Sequence, residues 1–425
     1  MSTEADQSLR QLKVYKGLVE VSALINAITD FNELLAAILD VSRRVMFAEA
    51  SSLFLTNADG NLELVVASGA GAGETPKEKI VVPRGQGIAG WVLENKTSAL
   101  VKDAYADPRF YQGVDKKTGF RTRSILCVPL SRNQHEIGVL QVLNPVEKES
   151  FDENDVEAFE AYGMLAATAI EKLRIIDQQR KQERMEQEFS FAREIQNSFL
   201  PQSLPSLGAL SFAATYRPAL NIGGDFYDVL EIGPDEVYFV IGDVSGKGIP
   251  AALLMAQALN TLRLIVKSGI SPADALARWN GMLCGHTIRG MFITSLLGRI
   301  VPSQRLVEMA SAGHCQPFLA SAGGGVIQLD VKSAPPIGIL DGLQYHLTST
   351  TLSPNDWLIF YTDGLTESFS PDNTLLESEG VERILSAQPL ASADDVLAKL
   401  RTGEENHRQN ADPHDDLTIL VFGFQ

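Results

Sequence analysis

The residues best suited to chemistry are aspartates at the ends of predicted strands, each beside a glycine or a second acid. Asp225 closes NIGGD, Asp243 ends VYFVIGD, Asp363 ends WLIFYTD, and Asp415 precedes Asp416 and the run LTILVF. A strand delivers its last side chain to the rim of a sheet, and a neighbouring glycine lets backbone or ligand approach closely. One such aspartate is an ordinary turn residue. Four of them within one half of the chain predict a carboxylate cluster.

Such a cluster suits a hard divalent cation. Carboxylate oxygens without Cys or His beside them are the ligands that Mg²⁺ and Mn²⁺ prefer. Two such ions about 4 Å apart polarise a phosphoryl oxygen and generate hydroxide near neutral pH. The 425 residues carry 53 Asp and Glu against 36 Lys and Arg, a formal net charge of −17. Composition and spacing together predict a metal-dependent phosphoryl hydrolase.

Glycine-rich phosphate loops fit the sequence less well. The segment SGAGAGE is followed by Pro76 and a charged run instead of an apolar helix, which does not match a dinucleotide-binding loop. The segment GDVSGKG has Gly248 where a P-loop needs Ser or Thr. A histidine kinase needs a phospho-accepting His on the preceding helix, and none lies between His135 and His286.

Cysteine and histidine chemistry is also poorly supported. The three cysteines, Cys127, Cys284 and Cys315, are too few for a disulfide framework. The pairs Cys284 with His286 and His314 with Cys315 match no common zinc spacing.

The surplus of negative charge also disfavours two classes of partner. Nucleic acids and anionic membranes both attract clustered Lys and Arg, so neither is expected as a partner. The N-terminus lacks an apolar signal core, and the longest apolar run, Ala251–Val266, is interrupted by Gln257, Asn260 and Arg263. We expect a cytoplasmic protein.

Hydrophobic periodicity divides the chain, whose length predicts two or three domains. The first part has helical spacing from Leu9 to Phe47, with Asp30 as an N-cap, and then the rhythm of strands. The predicted elements that follow are a hairpin from Ser51 to Ser68, strands over Ser124–Leu130 and Glu136–Asn144, and a helix over Phe151–Ile176.

A polar stretch without Gly or Pro runs from Ile175 to Leu200 and stops at Pro201, which predicts a long connecting helix. Its apolar positions form two short heptad seams in different phases. An interrupted coiled coil and a helix packed on its own domain both fit. The seams are Ala169, Leu173 and Ile176, and then Met185, Phe189, Ala192 and Phe199.

Seven strand-like runs follow Pro201, and two pairs of helices interrupt them. One pair, Ile249–Lys267 and Pro272–Leu283, lies between the third and fourth strands, and the other, Glu377–Ala387 and Ser392–Arg401, precedes the last strand. Strands in runs with paired helices predict an α+β domain of antiparallel sheets covered by helices.

Seven segments in this order resemble the PPM (2C-type) serine/threonine phosphatases of the bacterial RsbU/SpoIIE branch. They are FAREIQNSFLP, GGDFYD, GDVSGKGIPAALLMA, SAGHCQPFL, PPIGI, FYTDGLTE and DDLTILVF, over roughly Phe191 to Phe424. The resemblance implies a β-sandwich of two antiparallel sheets flanked by helix pairs. It also implies two, or three, Mn²⁺ or Mg²⁺ ions and a phosphoserine or phosphothreonine protein as substrate, such as a STAS-domain anti-sigma-factor antagonist.

The resemblance also assigns residues. Asp225, Asp243, Asp363 and Asp415 correspond to the core catalytic metal ligands, with Asp243 bridging. The remaining metal positions are the backbone carbonyl of Val244 and, outside the core set or at a weaker third metal, Asp228, Glu367 and Asp416.

Substrate phosphate would meet the loop of Gly246, Lys247 and Gly248. Attack by metal-activated water would need no covalent enzyme intermediate. Arg217 is not assigned as a phosphate clamp. For His314, a structural role is favoured over that of a general acid.

The segment from Asn26 to Ile175 resembles a GAF domain through RGQGIAGWVLENKTSALVKDAYADPRF, FRTRSILCVPL and LNPVEKESFDENDVEAF. Asn144, Phe151 and Asp155 match a signature of some cyclic-nucleotide-binding members. Pro145 and Val156 depart from it, which argues against cyclic-nucleotide binding. A sensor of an unknown small molecule and a dimerisation module both fit.

These expectations combine into a GAF-regulated phosphoprotein phosphatase that forms a homodimer through the GAF domain and connecting helix. The predicted parts are an N-terminal helix over 1–25, the GAF domain over 26–172, the connecting helix over 173–200 and the phosphatase domain over 201–425. The alternative is a catalytically silent GAF-containing signalling or docking protein, and its signature would be lost metal carboxylates.

Overall fold

The computed structural model describes residues 22–23, 27–69, 80–112, 115, 120–132, 135–285, 290–387 and 389–425. The predicted helix over 1–25 and His286 therefore lie outside the described residues, apart from residues 22–23. The chain forms two compact units, Met1–Arg184 and Met185–Gln425.

The N-terminal unit contains one antiparallel sheet of six strands in the order β3-β2-β1-β6-β5-β4. The hairpin predicted from Ser51 to Ser68 is present, as strands β1 and β2. The elements are α1 (Phe31–Val45), β1 (Ala48–Thr56), β2 (Leu62–Gly69), β3 (Val81–Val82), α2 (Gly87–Asn95), β4 (Ala99–Val101), β5 (Ile125–Arg132), β6 (His135–Pro145) and α3 (Glu153–Phe199).

Helices cover both faces of this sheet. Helix α1 begins where the Asp30 carboxylate accepts a hydrogen bond from the amide of Glu33, as its sequence predicts. Its apolar stripe packs with the start of α3 against one face, around Leu53, Leu140 and Phe159. Helix α2 covers the other face.

Helix α3 is one continuous helix of 47 residues, and it joins the helix predicted over Phe151–Ile176 to the connecting helix predicted over Ile175–Leu200. In the N-terminal unit its first apolar seam packs into the local core, where Leu173 is 9% exposed and Ile176 is partly buried. In the second seam Met185 is 53% exposed, and Phe191 next to the seam is 64% exposed. The first seam is therefore part of the core of the N-terminal unit.

The C-terminal unit contains two sheets. One has the order β14-β11-β10-β9-β8 with β15 on β11, and the other has the order β13-β12-β16-β17-β7. The elements are β7 (Leu210–Arg217), β8 (Phe226–Gly233), β9 (Glu236–Val244), α4 (Ile249–Val266), α5 (Pro272–Leu283), β10 (Ile293–Val301), β11 (Leu306–Ala312), β12 (Phe318–Ala320), β13 (Val326–Gln328), β14 (Ser333–Ala334), β15 (Thr348–Thr351), β16 (Trp357–Tyr361), α6 (Asp363–Thr366), α7 (Glu377–Ser386), α8 (Ala393–Arg408) and β17 (Leu417–Phe424).

The two sheets pack face to face, and aromatic rings fill the space between them. Phe239 from one sheet lies 4.8 Å, centroid to centroid, from both Phe360 and Phe422 of the other. Helices α4 and α5 cover the outer face of the first sheet, and α7 and α8 cover that of the second. This is the expected sandwich of two sheets flanked by helix pairs.

Helix α4 is the one helix among the described residues whose length and apolar content would suit a membrane span. Packing explains that composition, because Leu254, Met255, Leu259 and Leu262 are buried in the core formed with α5 and the first sheet.

Candidate functional site

The predicted carboxylates meet at one end of the sandwich because its strands carry them there. Asp225 directly precedes β8 and Asp243 is the next-to-last residue of β9, and these two strands are neighbours in one sheet. Asp363 follows β16, and Asp415 precedes β17, the neighbour of β16 in the second sheet. Residues far apart in sequence are therefore brought to the same end of the two sheets.

Asp225 is the most deeply placed member, with 1% of its surface exposed. Its Oδ2 atom accepts hydrogen bonds of 2.7 Å from the Oγ1 atoms of Thr362 and Thr418. Both threonines come from the second sheet, so they fix a carboxylate of the first. Sequence reasoning did not select them, although each lies within three residues of a predicted ligand.

The carboxylates destabilise one another. Burial, reinforced by the charges of Asp363 and Asp415, raises the pKa of Asp243 to about 7. Burial and the charge of Asp415 raise the pKa of Asp363 to about 6. The pKa of Asp225 is also raised, by burial and by Asp243. Buried like charges of this kind are stabilised by a cation.

The donor set is therefore appropriate for a hard divalent cation, since it offers several buried or partly buried oxygens and no imidazole or thiolate at the predicted ligand positions. Among the described residues, no group of three or more Asp, Glu, His or Cys side chains already closes around one point at metal-binding distances.

Two close approaches require glycine. A Cβ atom on Gly224 would lie 2.7 Å from the carbonyl oxygen of Val244 and 3.3 Å from Asp243 Oδ1. A Cβ atom on Gly364 would lie 1.9 Å from the carbonyl oxygen of Asp416. The loop before Asp225 thus lies directly against the Val244 carbonyl that the sequence marked as a ligand.

Asp416 binds backbone amides. Its Oδ1 atom accepts from the amide of Ala219 at 2.8 Å, and its Oδ2 atom accepts from the amide of Gly224 at 2.7 Å. Both carboxylate oxygens therefore hold the loop that carries Asp225.

Asp228 pairs with an arginine side chain of α4. It is 2% exposed, its Oδ2 atom accepts from Arg263 Nε at 2.7 Å, and its Oδ1 atom accepts from the amide of Val229. Burial raises the pKa of Asp228, and the charge acting against that shift is Arg263. Arg263 also donates to the carbonyl oxygen of Phe199, so Asp228 anchors a link between β8, α4 and the end of α3.

The remaining predicted residues lie at the rim of the cluster. The charge of Glu367 contributes to the raised pKa of Asp363. Lys247 Nζ lies 3.1 Å from Asp415 Oδ2 and donates to the carbonyl oxygen of His414 at 2.7 Å. Gly246 and Gly248 adopt positive φ angles of 94° and 78° on either side of this lysine.

The contacts of His314 and Arg217 are those of residues that support the fold. His314 is buried, its Nδ1 atom lies 3.1 Å from Thr294 Oγ1, and burial lowers its pKa to about 4, so it is neutral near pH 7. Arg217 pairs at 2.8 Å with Glu404, which is 1% exposed. Arg217 therefore forms an ion pair with a buried carboxylate.

Two family models match the chain. The model for stage II sporulation protein E (SpoIIE) matches residues 233–425, and the GAF domain model matches residues 30–170. The chain carries a GAF domain followed by a SpoIIE-family, PP2C-type domain.

Individual relatives support the SpoIIE assignment. The chain is 27% identical to the phosphoserine phosphatase RsbU of Bacillus subtilis, over 63% of this chain and 77% of RsbU. It is also 27% identical to protein IcfG of Synechocystis sp. (strain PCC 6803), over 55% of this chain, and the match spans only about two fifths (41%) of IcfG. In fold it is similar to the SiaA PP2C domain of Pseudomonas aeruginosa, with a TM-score of 0.51 and 21% identity, over 58% of this chain and 98% of that domain.

The GAF domain contains a cavity of about 430 Å³ between its sheet and α2. Its lining is mostly apolar, with a few polar side chains. Among the lining residues are Phe54, Ile88, Phe110, Ser52, Gln86 and Gln141.

Asn144, which matches the cyclic-nucleotide signature, is not among the residues that line this cavity. It is fully buried and makes internal hydrogen bonds instead. Its side chain accepts from the amide of Arg123 and donates to Glu49 Oε2 and to the carbonyl oxygen of Arg121. Asn144 thus fastens the end of β6 to the start of β5.

Proposed function

We propose that the chain is a metal-dependent phosphoprotein serine/threonine phosphatase whose activity is regulated through its GAF domain. The observation that carries the proposal is the cluster of Asp225, Asp243 and Asp363 within a SpoIIE domain, where burial and mutual repulsion raise all three pKa values. A protein that only docked partners would have no need to retain such a costly arrangement.

We assign Asp225, Asp243, Asp363 and Asp415 as the core ligands, with the Val244 carbonyl beside them. Mn²⁺ or Mg²⁺, as a pair or with a third ion, is the proposed cofactor. When bound, these ions would polarise the phosphoryl group and lower the pKa of a coordinated water. The alternative of a catalytically silent domain is disfavoured because all four carboxylates are present.

The residues of the chain prepare this site in two ways. The hydroxyls of Thr362 and Thr418 hold one oxygen of Asp225 and leave its other oxygen for a cation. Lys247, between Gly246 and Gly248, places a positive charge at the rim, where it would attract an anionic phosphate. Asp416 and Glu367 border the core set, and Asp416 holds backbone.

The proposed substrate is a phosphoserine or phosphothreonine protein. The name of RsbU describes a phosphoserine phosphatase, which supports that class. A STAS-domain anti-sigma-factor antagonist is the kind of substrate we infer. Neither nucleic acid nor a membrane surface is proposed as a partner, because the net charge is −17.

Phosphate release from a phosphoserine protein, measured with Mn²⁺ and then with excess chelator, tests the function. We expect release with Mn²⁺, loss of release with chelator, and loss in Asp363→Asn. The matched control is Glu382→Gln, an exposed acid on α7. A wild-type chain that binds Mn²⁺ yet releases no phosphate from any such protein would indicate the docking alternative.

We further propose that the protein is a cytoplasmic homodimer and that α3 carries the state of the GAF domain to the SpoIIE domain. The continuity of α3 from Glu153 to Phe199 supports this. The GAF domain (26–172), connecting segment (173–200) and phosphatase domain (201–425) are the proposed functional divisions. A truncation beginning near Glu188 with the same Mn²⁺ affinity and activity as the full chain would contradict the regulatory role.

A further inference from the structure

The loop that carries Asp225 crosses from one sheet to the other. This crossover loop, residues 218–225, joins β7 to β8 and has no regular secondary structure. It contains Gly223 and Gly224, which lose much conformational freedom when they are ordered. Thr362 and Thr418 hold the Asp225 carboxylate, and the backbone that carries it depends on side chains that hold this loop.

Asp416 holds one side of the crossover loop through the amides of Ala219 and Gly224. The next peptide toward the N-terminus, that of Gly223, is held from α3. Gln196 Nε2 donates to the carbonyl oxygen of Gly223 at 2.6 Å, and the amide of Gly223 donates back to Gln196 Oε1 at 3.4 Å. One side-chain amide thus engages both polar groups of a single residue.

The surroundings of Gln196 show that this contact is built into the domain. Gln196 is 4% exposed, although Ile195 and Asn197 beside it on α3 are exposed. The hydroxyl of Tyr216 donates to Gln196 Oε1 within 3.5 Å. A buried amide is costly unless its polar atoms are paired, and here the partners are the crossover loop and the strand that leads into it.

We infer that Gln196 is a positioning residue for the metal site, acting through Gly223 on Asp225. Its contact, Gly223, lies two residues before Asp225, so Gln196 would act on the metal site through the loop. This inference rests on the proposed function for its role in activity, but the order of the crossover loop is a property of the metal-free chain.

The test uses the full chain with Gln196→Met, which keeps the length and helix compatibility of the side chain and removes both hydrogen-bonding groups. Asn197→Met makes a matched change at the next, exposed position. Hydrogen exchange of the crossover loop is measured in the metal-free chain, and Mn²⁺ affinity is measured by calorimetry.

We expect loop exchange to be about fivefold to tenfold faster in Gln196→Met, the effect of losing one buried hydrogen bond, with β9 and β10 unchanged. The Mn²⁺ dissociation constant should rise by a similar factor of about five to ten. Asn197→Met should change neither quantity.

Equal loop exchange in Gln196→Met and wild type would overturn the inference. Faster exchange throughout the SpoIIE domain would also overturn it, because that result indicates a general packing role. Phosphate release is measured separately on the wild type. If the wild type fails to release phosphate, the proposed function is wrong. The hydrogen exchange of the crossover loop still tests the role of Gln196 in that case.

Discussion

The amide of Gly224 donates to the Oδ2 atom of Asp416 at 2.7 Å, between residues that lie 192 positions apart in the chain. Because Asp416 Oδ1 also receives the amide of Ala219, this carboxylate orders the loop before Asp225. Asp416 therefore orders a loop, whereas its neighbour Asp415 is a proposed metal ligand.

We predict that Asp416→Asn weakens Mn²⁺ binding while leaving the four core ligands in place. An asparagine side chain has one acceptor oxygen, so it can satisfy only one of the two amides and turns a donor toward the other. A lost hydrogen bond to a charged group corresponds to about a tenfold change or more.

The concentration of Mn²⁺ that gives half-maximal phosphate release measures this effect. Excess Mn²⁺ should restore most of the wild-type rate. A rate that stays near zero at every Mn²⁺ concentration would mean that Asp416 is itself an essential ligand, contrary to its role in binding backbone amides.

Asp243→Asn should have opposite effects on activity and on the stability of the metal-free chain. Losing one of the four proposed core carboxylates should lower Mn²⁺-dependent phosphate release at least about 100-fold, because bound Mn²⁺ would be poorly neutralised. Removing one of several repelling buried charges should raise the melting temperature of the chain in chelator. Glu382→Gln is the surface control, and a lower melting temperature for Asp243→Asn than for this control would contradict the repulsion.

The metal-free chain should become more stable as the pH falls from 8 to 6.5. The pKa of Asp243 in the folded chain, about 7, lies above its value near 4 in the unfolded chain, so the folded state binds more protons in this range. Stability therefore falls as the pH rises, and the effect disappears below the unfolded pKa, where both states are protonated.

Chemical denaturation in chelator at a series of pH values measures this dependence. Asp243→Asn should flatten it, and saturating Mn²⁺ should suppress it, since a bound cation replaces the protons. A wild-type stability that rises between pH 6.5 and 8 in chelator would show that the carboxylates do not repel one another as described.

Asp228→Ala should destabilise the fold without a comparable change in Mn²⁺ affinity. It leaves Arg263 without its buried partner, and breaking such a pair costs about 3–5 kcal/mol when both groups are buried and less here, since Arg263 is 29% exposed. Denaturant unfolding and calorimetric Mn²⁺ titration separate the two effects. A large loss of Mn²⁺ affinity with unchanged stability would instead place Asp228 among the ligands.

Much of the site could be predicted from the sequence, because the strands and helices that carry it form where the local hydrophobic pattern favours them. The apolar runs before Asp243 and Asp363 predict buried strands, and the strands are present, with both acids where β9 and β16 end. The limits of α4 and α5 were predicted to within a residue because capping and Pro signals lie next to them. Helix α8 extends seven residues past its predicted end at Arg401, where the polar sequence up to Arg408 contains no breaker other than Gly403.

The sequence by itself determined which residue types can bind a cation and that they stand at strand ends. Only the tertiary structure decided which of these acids join the carboxylate cluster and which bind other groups. Asp225 and Asp228 are three residues apart, yet one joins the carboxylate cluster and the other pairs with Arg263 of α4. Thr362, Thr418 and Gln196 acquire their roles by contacts across 137, 193 and 27 residues. Such roles depend on which strands and helices become neighbours, and no local spacing encodes that choice.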